Sequence, residues 1–161
     1  MKASLLSIGT LVAVAALAIG LNSALAANYT ASHGVAVAVA NSSLGRILVD
    51  GHGHTLYLFG KDKRGKSACR GQCASFWPPL ITAGRPRAKA GAKASLLGTT
   101  RRADGRLQVT YNRHPVYRFA KDTMKGQTNG QGLNIFGARW YAVSSAGSKI
   151  KAASSGGGYG Y

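Results

Sequence analysis

Short runs of alternating apolar and polar residues fill most of the chain, and this two-residue period predicts β-strands rather than helices. Over 35–40, Val and Ala alternate strictly, so the Val side chains share one face of a strand and the Ala side chains share the other. Over 55–59, Tyr57 and Phe59 share one face and the two leucines share the opposite one. Beyond the apolar N-terminal segment, no amphipathic helix is predicted.

This pattern predicts eight short strands, four in each half of the chain. Pro78 and Pro79 place the fourth strand at a sheet edge, because proline has no N–H to donate to a neighbouring strand. The predicted strands are 35–40, 46–50, 55–59 and 76–81 in the first half, and 96–100, 106–111, 115–119 and 140–143 in the second.

The sequence also contains an internal repeat, in which residues 57–62 return sixty positions later as residues 117–122. Tyr, Phe, Lys and Asp are identical in the two copies, and the match continues upstream at the same offset. The further identical pairs are Gly45 and Gly105, Arg46 and Arg106, Val49 and Val109, and His54 and His114. We therefore predict an all-β fold of two tandem four-stranded antiparallel units, repeat one at about 34–82 and repeat two at about 95–146, forming one small sandwich- or barrel-like domain.

The two ends of the chain differ in composition from this predicted domain, which spans 27–147. Residues 1–26 have the pattern of a signal peptide, with Lys2 at the start, an apolar stretch and a small-x-small site that ends at Ala26. Residues 148–161 are rich in Ser, Gly and Tyr and are predicted to be a disordered tail. Residues 83–94 combine Gly, Ala and Pro with cations and are predicted to be a flexible linker between the repeats.

The N-terminal pattern predicts an exported protein, either periplasmic or secreted. An uncleaved membrane anchor is the alternative, because the apolar stretch is close to the length of a membrane span. No Cys lies near the predicted cleavage site, so a lipid anchor is not expected. After cleavage no transmembrane segment is expected, and the sequence does not predict an oligomeric state.

The charge balance is strongly basic, with 21 Lys and Arg against 4 acidic residues and a formal net charge of +17. Loss of Lys2 with the signal lowers this charge by only one. A chain with this charge is attracted to polyanions or to an anionic envelope surface. The cations are scattered over many predicted loops, which is also typical of a solvated basic surface, and no specific nucleic acid target is indicated.

The few carboxyl groups argue against an enzyme. Asp50 and Asp104 precede glycines in predicted turns, and Asp62 and Asp122 end the repeated motif, where their side chains can accept backbone N–H bonds. No carboxylate pair is left for acid–base chemistry, and the chain contains no Glu. No cofactor is predicted.

Two cysteines and three histidines are the remaining candidates for chemistry. Cys69 and Cys73 are predicted to form a disulfide in an exported protein, with metal or redox use as the alternative. His52 and His54 would point the same way in a strand, and His114 is the repeat equivalent of His54. These histidines are weak candidates for a metal site, and exposed turn histidines are the competing interpretation.

Six aromatic residues occupy equivalent positions in the two repeats, which predicts a core or a contact between the repeats. A stacking platform for single-stranded nucleic acid is the alternative, because cations surround these positions in the sequence. The six are Tyr57, Phe59, Trp77, Tyr117, Phe119 and Trp140.

Several motifs together resemble the bacterial family known as secreted repeat of unknown function, or predicted lipoproteins with a Yx(FWY)xxD motif. The first motif matches at Tyr57, Phe59 and Asp62, and the second at Tyr117, Phe119 and Asp122. The run Cys69-x-Gly71-x-Cys73-Ala74 with Trp77-Pro78-Pro79-Leu80, and the run from Asp104 to Asn112, complete the set. The resemblance covers about 34–147 and implies an exported protein of tandem β repeats, without an established enzyme activity or cofactor. Those motif residues are therefore taken as structural.

Overall fold

A computed structural model describes residues 34–63 and 65–151, and these residues form mainly short β-strands. One α-helix of five residues and one turn of 3-10 helix interrupt them. In chain order the elements are β1 Ala36–Ser42, β2 Gly45–Asp50, β3 Tyr57–Phe59, α1 Gln72–Phe76, β4 Ile81–Thr82, β5 Arg87–Ala88, the 3-10 helix Ala94–Leu96, β6 Leu97–Arg101, β7 Leu107–Tyr111, β8 His114–Pro115, β9 Asn134–Ile135 and β10 Ala138–Ala142. The all-β prediction is confirmed, whereas the predicted signal peptide lies outside the described residues.

The strands form three small sheets. β1 lies between β2 and β5, β10 lies between β3 and β9, and β7 lies between β4 and β6 and also pairs with β8. Pairing is antiparallel except between β1 and β5, which are parallel. Isolated bridges connect the sheets, among them Val49 with Thr55 and Tyr57 with Tyr117.

The predicted alternation along the strands separates two hydrophobic cores. On β1 the alanines pack against a core rich in aromatic rings, and the valines belong to a second, mainly aliphatic core. On β3, Tyr57 and Phe59 lie in the aromatic core, whereas Leu58 lies in the aliphatic one. β3 is therefore buried on both faces, and β1 contacts a core on each face while remaining mostly half-buried, which explains why apolar residues occupy both faces of these strands.

The two repeats exchange strands instead of folding separately. β3 of repeat one pairs with β10 of repeat two, and Pro79 of repeat one forms a bridge with Tyr117 of repeat two. At the centre, the backbone N–H groups of Tyr57 and Tyr117 each donate to the carbonyl of the other, at N···O distances of 2.8 and 3.0 Å. Equivalent contacts with exchanged partners are the pattern of a two-fold axis, here running between the two tyrosines.

On each side of this axis, three backbone hydrogen bonds form a closed cycle that also joins the two repeats. On one side, Leu48 donates to Val143, Val143 to Leu56, and Leu56 to Leu48. On the other side, the same cycle joins Val109, Leu80 and Val116. Each cycle takes two residues from one repeat and the third from the other, so neither repeat contains a complete set.

Residues 83–94 do not form the flexible linker predicted from their composition. Arg87 and Lys89 donate backbone hydrogen bonds to the carbonyls of Val35 and Val37, and the carbonyl of Ala90 accepts one from Val39. The segment therefore extends the first sheet by a parallel strand. Composition did not reveal this pairing because the bonds involve only the backbone, which Gly- and Ala-rich sequence can supply as well as any other.

The ordered domain also continues past the predicted boundary at 147. Ser148 and Ile150 form backbone hydrogen bonds with Ser144 and Ala142, and the carbonyl of Ile150 also accepts a bond from the side chain of Gln131. The side chain of Ile150 packs against the aromatic core. The predicted tail at 148–161 thus begins inside a hydrogen-bonded hairpin, and its residues from 152 onward lie outside the described part.

Candidate functional site

Five cationic side chains line one open depression of about 650 Å³ on the surface. The β6–β7 hairpin supplies three of them and the loop around the disulfide supplies the other two. They are Lys66, Arg70, Arg101, Arg102 and Arg106. The hairpin turns at Asp104-Gly105, where Gly105 has a φ of 80° that favours glycine. The one carboxyl group that lines the depression is that of Asp104.

Arg102 is the buried member of this group, with only 8% of its surface exposed. Its Nη1 donates to Gln108 Oε1 at 2.7 Å and to Ser67 Oγ at 2.8 Å, and its Nη2 donates to the carbonyl of Cys69 at 2.8 Å. These bonds tie the β6–β7 hairpin to the disulfide loop across the depression. Within the described part of the chain, its Nε has no hydrogen-bond partner.

Asp104 forms an ion pair with Arg106 at the rim of the depression. Arg106 donates from Nη2 and Nε to one carboxylate oxygen at 2.7 and 3.0 Å, and its backbone N–H donates to the other oxygen. These hydrogen bonds and the charge of Arg106 lower the pKa of Asp104 below its usual value, so the carboxylate stays ionised. Arg102 Nε lies 3.7 Å from the same carboxylate.

The disulfide loop holds the other two cations. The predicted disulfide is present, with Cys69 and Cys73 joined at a Cα–Cα distance of 5.3 Å. Both cysteines are buried against the aromatic core, and α1 follows directly after Gly71, whose φ is positive. Lys66 and Arg70 flank Cys69 and remain exposed. The bond therefore fixes a short cationic loop against the core.

A second depression of about 530 Å³ shares Ala74 and Arg106 with the first. Asp50 lies at its buried end, where its Oδ1 accepts the backbone N–H groups of His52 and His54 at 2.9 and 3.0 Å. Its other oxygen lies 3.7 Å from Arg118 Nη1. Asp50 therefore shapes a turn, as its position before Gly51 predicts.

The three candidate metal-ligating histidines are not brought together. His52 lines the second depression, and His54 Nδ1 lies 3.7 Å from Asp50. His114 lines a different depression beside Asp62. Among residues 34–63 and 65–151, no group of three or more His, Cys, Asp or Glu side chains could hold a metal ion. The interpretation as a metal site has no structural support there.

The motif tyrosines and aspartates form two cross-repeat pairs. Tyr57 donates its hydroxyl to Asp122, and Tyr117 donates to Asp62 at 2.7 Å. In each pair the other carboxylate oxygen accepts a backbone N–H from the following loop. Burial raises the pKa of Asp62 to about 6 and also raises the pKa of Asp122. Burial likewise raises the pKa of both tyrosines, so each keeps the proton that it donates.

The six aromatic rings form the centre of the aromatic core. Trp77 and Trp140 stack on each other with ring centroids 3.9 Å apart and planes 2° apart. Phe59 stacks on Trp140 and Phe119 stacks on Trp77, so each phenylalanine packs on the tryptophan of the other repeat. Both tryptophans have no exposed surface. The column is therefore not accessible as a platform for stacking nucleic acid bases.

Arg102 is the site residue that the sequence did not reveal. It lies in a run of two arginines before an Asp-Gly turn, where exposed charges are the ordinary expectation. Its partners Ser67 and Cys69 lie 35 and 33 positions away in the chain. Only the packing of the hairpin against the disulfide loop brings these groups together, and no local pattern indicates it.

The exchanged strands, the paired motif residues and the shared aromatic column define a duplicated β protein in which each copy completes the other. The chain belongs to the family described as secreted repeat of unknown function, whose model matches residues 38–81 and 98–144, more than half of the chain. The resemblance found in the sequence is thereby confirmed. Neither the curated proteins nor the solved structures contain a significant match to this chain. Within the described ranges, no helix is long and apolar enough to cross a membrane.

Proposed function

We propose that this secreted protein is a non-enzymatic binding module that takes an anionic partner, such as an acidic polymer of the cell envelope, in the basic depression. The observation that supports this function is the convergence of five cationic side chains on one concave surface lined by a single carboxylate. The formal charge of +17 over the whole chain makes attraction general, and the depression adds a place where charges converge.

Arg102 gives the depression a fixed element. Three hydrogen bonds hold its guanidinium just below the surface before any ligand arrives, so its positive charge attracts an anion without a loss of conformational freedom. Arg101 and Arg106 are exposed beside it on the same hairpin. A guanidinium group can donate two parallel hydrogen bonds to two oxygens of a phosphate, sulfate or carboxylate group. Acidic polymers that carry these groups therefore suit the depression.

The proposal also places the protein in the periplasm or outside the cell, free of a lipid anchor. Its support is the signal-like pattern over 1–26 and the lack of a Cys near Ala26. A metal- or redox-related role, the alternative from the sequence, is not favoured by any comparable observation among the described residues. Their two cysteines are joined in the disulfide, and their histidines belong to no group of three or more possible metal ligands.

Binding to inorganic polyphosphate at several salt concentrations tests the proposal. We expect the affinity to fall steeply with salt, because exposed charges are screened within about 8 Å at physiological ionic strength. The triple substitution Lys66→Gln, Arg70→Gln and Arg101→Gln removes three charges from the depression without touching the buried Arg102. We expect its dissociation constant to rise about 10- to 100-fold, which corresponds to about 0.5–1 kcal/mol for each lost charge contact.

The matched control removes three exposed cations that do not line the depression, through Lys61→Gln, Lys89→Gln and Lys121→Gln. Both triple variants have the same net charge, so a general attraction predicts equal losses. A binding site in the depression predicts a loss of affinity that is at least several-fold larger in the variant that lacks Lys66, Arg70 and Arg101. Equal weakening of both, or a wild-type affinity that does not change with salt, would refute the depression as the binding site.

A further inference from the structure

An apolar surface lies at one end of the aromatic column. Its proposed role is separate from the anion binding proposed for the basic depression. The described part of the chain exposes four large apolar side chains, and three of them lie on or beside the β9–β10 hairpin. Phe76, Leu133 and Ile135 are 38%, 38% and 42% exposed. The half-buried ring of Phe136 lies 6.0 Å from that of Phe76. We call these four residues the apolar cap.

The hairpin that carries the cap turns through an unfavourable backbone conformation. Ile135 pairs with Ala138, so Phe136 and Gly137 are the two residues of the turn, with φ values of 60° and 88°. A two-residue turn with both φ angles positive favours Asn-Gly, because a bulky side chain is strained there. Placing Phe at this position costs backbone stability, and the part of its ring that packs against the aromatic core offsets that cost.

Cations surround the cap. Lys61 Nζ lies 3.4 Å from the position that a Cβ on Gly137 would take. Arg139 follows on β10 and is exposed. Lys121, the repeat equivalent of Lys61, is also exposed and follows Ala120, whose N–H donates to the carbonyl of Phe76. Lys61 therefore lies beside the turn of the hairpin, and two further exposed cations follow residues that contact the cap or belong to its hairpin.

We propose that the apolar cap docks on an anionic lipid bilayer, with Phe136 and Ile135 entering the interface between headgroups and acyl chains. Clustered exposed apolar residues mark interaction surfaces. A rim of Lys and Arg around aromatic and aliphatic side chains matches a bilayer whose headgroups are negative and whose interior is apolar. The charge complementarity of the rim is what favours this partner over an uncharged apolar surface. Ile135 is the exposed member of the hairpin, and the part of Phe136 that is not buried against the core extends the same surface.

Sedimentation with vesicles tests this docking, using the full mature protein. We expect the wild type to partition onto vesicles of phosphatidylcholine mixed with phosphatidylglycerol and far less onto vesicles of phosphatidylcholine alone. The variant Phe136→Asn carries the residue that the turn prefers but loses the packing of the ring against the aromatic core, so its melting temperature and β spectrum are measured first to show that it is folded. Its partitioning should fall about tenfold, as expected for the loss of one partly inserted aromatic side chain.

Two further variants make the test specific. Ile135→Ser should weaken partitioning in the same way without changing the turn. Met124→Ser removes a side chain that is 64% exposed but lies outside the cap, and it should bind vesicles as the wild type does. The inference is overturned if wild-type protein does not bind anionic vesicles, or if Phe136→Asn and Ile135→Ser bind as well as Met124→Ser. Neither result bears on polyphosphate binding in the depression, so the two proposals fail independently.

Discussion

At the scale of single residues, Asp62 joins the two repeats and carries an unusual pKa. Its carboxylate accepts hydrogen bonds from Tyr117 and from the backbone N–H of Ala68. Burial outweighs these bonds and the nearby charge of Arg102, and it raises the pKa of Asp62 to about 6. Ionising this group in the folded protein therefore costs more than ionising it in the unfolded chain.

This raised pKa predicts how stability depends on pH. Between the unfolded value of 3.8 and about 6, the folded protein binds more protons at Asp62 than the unfolded chain does. The contribution of Asp62 to the free energy of unfolding should therefore be fully present below pH 3.8 and be lost as pH rises to about 6. We expect a loss of about 3 kcal/mol. In Asp62→Asn this part of the pH dependence should disappear, as measured by urea unfolding at a series of pH values.

Asp104→Asn provides a control of opposite sign. Because Arg106 lowers the pKa of Asp104, the wild-type carboxylate adds stability above its unfolded pKa, and that stability is lost as pH falls. Removing the Asp104 carboxylate should leave the decline in the free energy of unfolding between pH 4 and 6 in place. A wild type and an Asp62→Asn variant with parallel stability curves across this range would show that Asp62 is not the group responsible.

At the scale of elements, the disulfide loop links the hydrophobic core to the basic depression. The bond closes a ring across a sequence separation of 4, and the carbonyl of Cys69 holds Arg102 in place. A loop this short restricts the unfolded chain only modestly. Its structural effect is local, because it fixes the cationic loop and the start of α1 against the aromatic core.

Removing this bond should therefore weaken the protein without unfolding it. For the variant Cys69→Ala with Cys73→Ala, we expect the free energy of unfolding to fall by about 2 kcal/mol, the loop-closure contribution of a ring of this size. Denaturant unfolding of the variant and of the reduced wild type, each compared with the disulfide-bonded wild type, measures this drop. The two should agree, since both lack the same crosslink, and a drop of zero in both would exclude a stabilising role for the bond.

The elements also show what the sequence could and could not predict. The strict alternation over 35–40 and the alternating leucines near Tyr57 correctly predicted strands with two distinct faces, because burial on each face is a local pattern. The strand at 87–88 escaped prediction, because its pairing with β1 uses backbone groups alone. The five residues of α1 also escaped, because so short a helix has no amphipathic period to detect.

At the scale of the whole molecule, the repeat predicted duplication but not how the copies fit together. Identity at sixty-residue spacing shows that Tyr57 and Tyr117 are equivalent, yet equivalent residues can lie far apart or in contact. The contact between them, and the crossed pairing of each Tyr with the distant Asp, depends on packing over more than fifty positions. The candidate site was equally hidden, because scattered cations do not reveal which of them share a surface.

The exchange of strands predicts that neither repeat folds alone. A fragment of residues 27–91 would lack the strand β10 that pairs with β3, and a fragment of 92–161 would lack the partner of Tyr117. We expect each fragment, as a monomer at low concentration, to be unfolded by circular dichroism and the equimolar mixture to recover the β spectrum of the intact domain. Either fragment folding by itself as a monomer would contradict the exchange.

Crossed pairing has a consequence for how such a protein can arise. A single repeat carries both the Tyr and the Asp, both the Phe and the Trp, and so contains the complement of a second copy of itself. Two separate copies could satisfy every one of these contacts as a symmetric homodimer. Fusing the copies into one chain makes that assembly independent of concentration. It also allows the copies to differ: repeat one carries the crosslink and its cationic loop, and repeat two carries the β9–β10 hairpin that exposes Ile135.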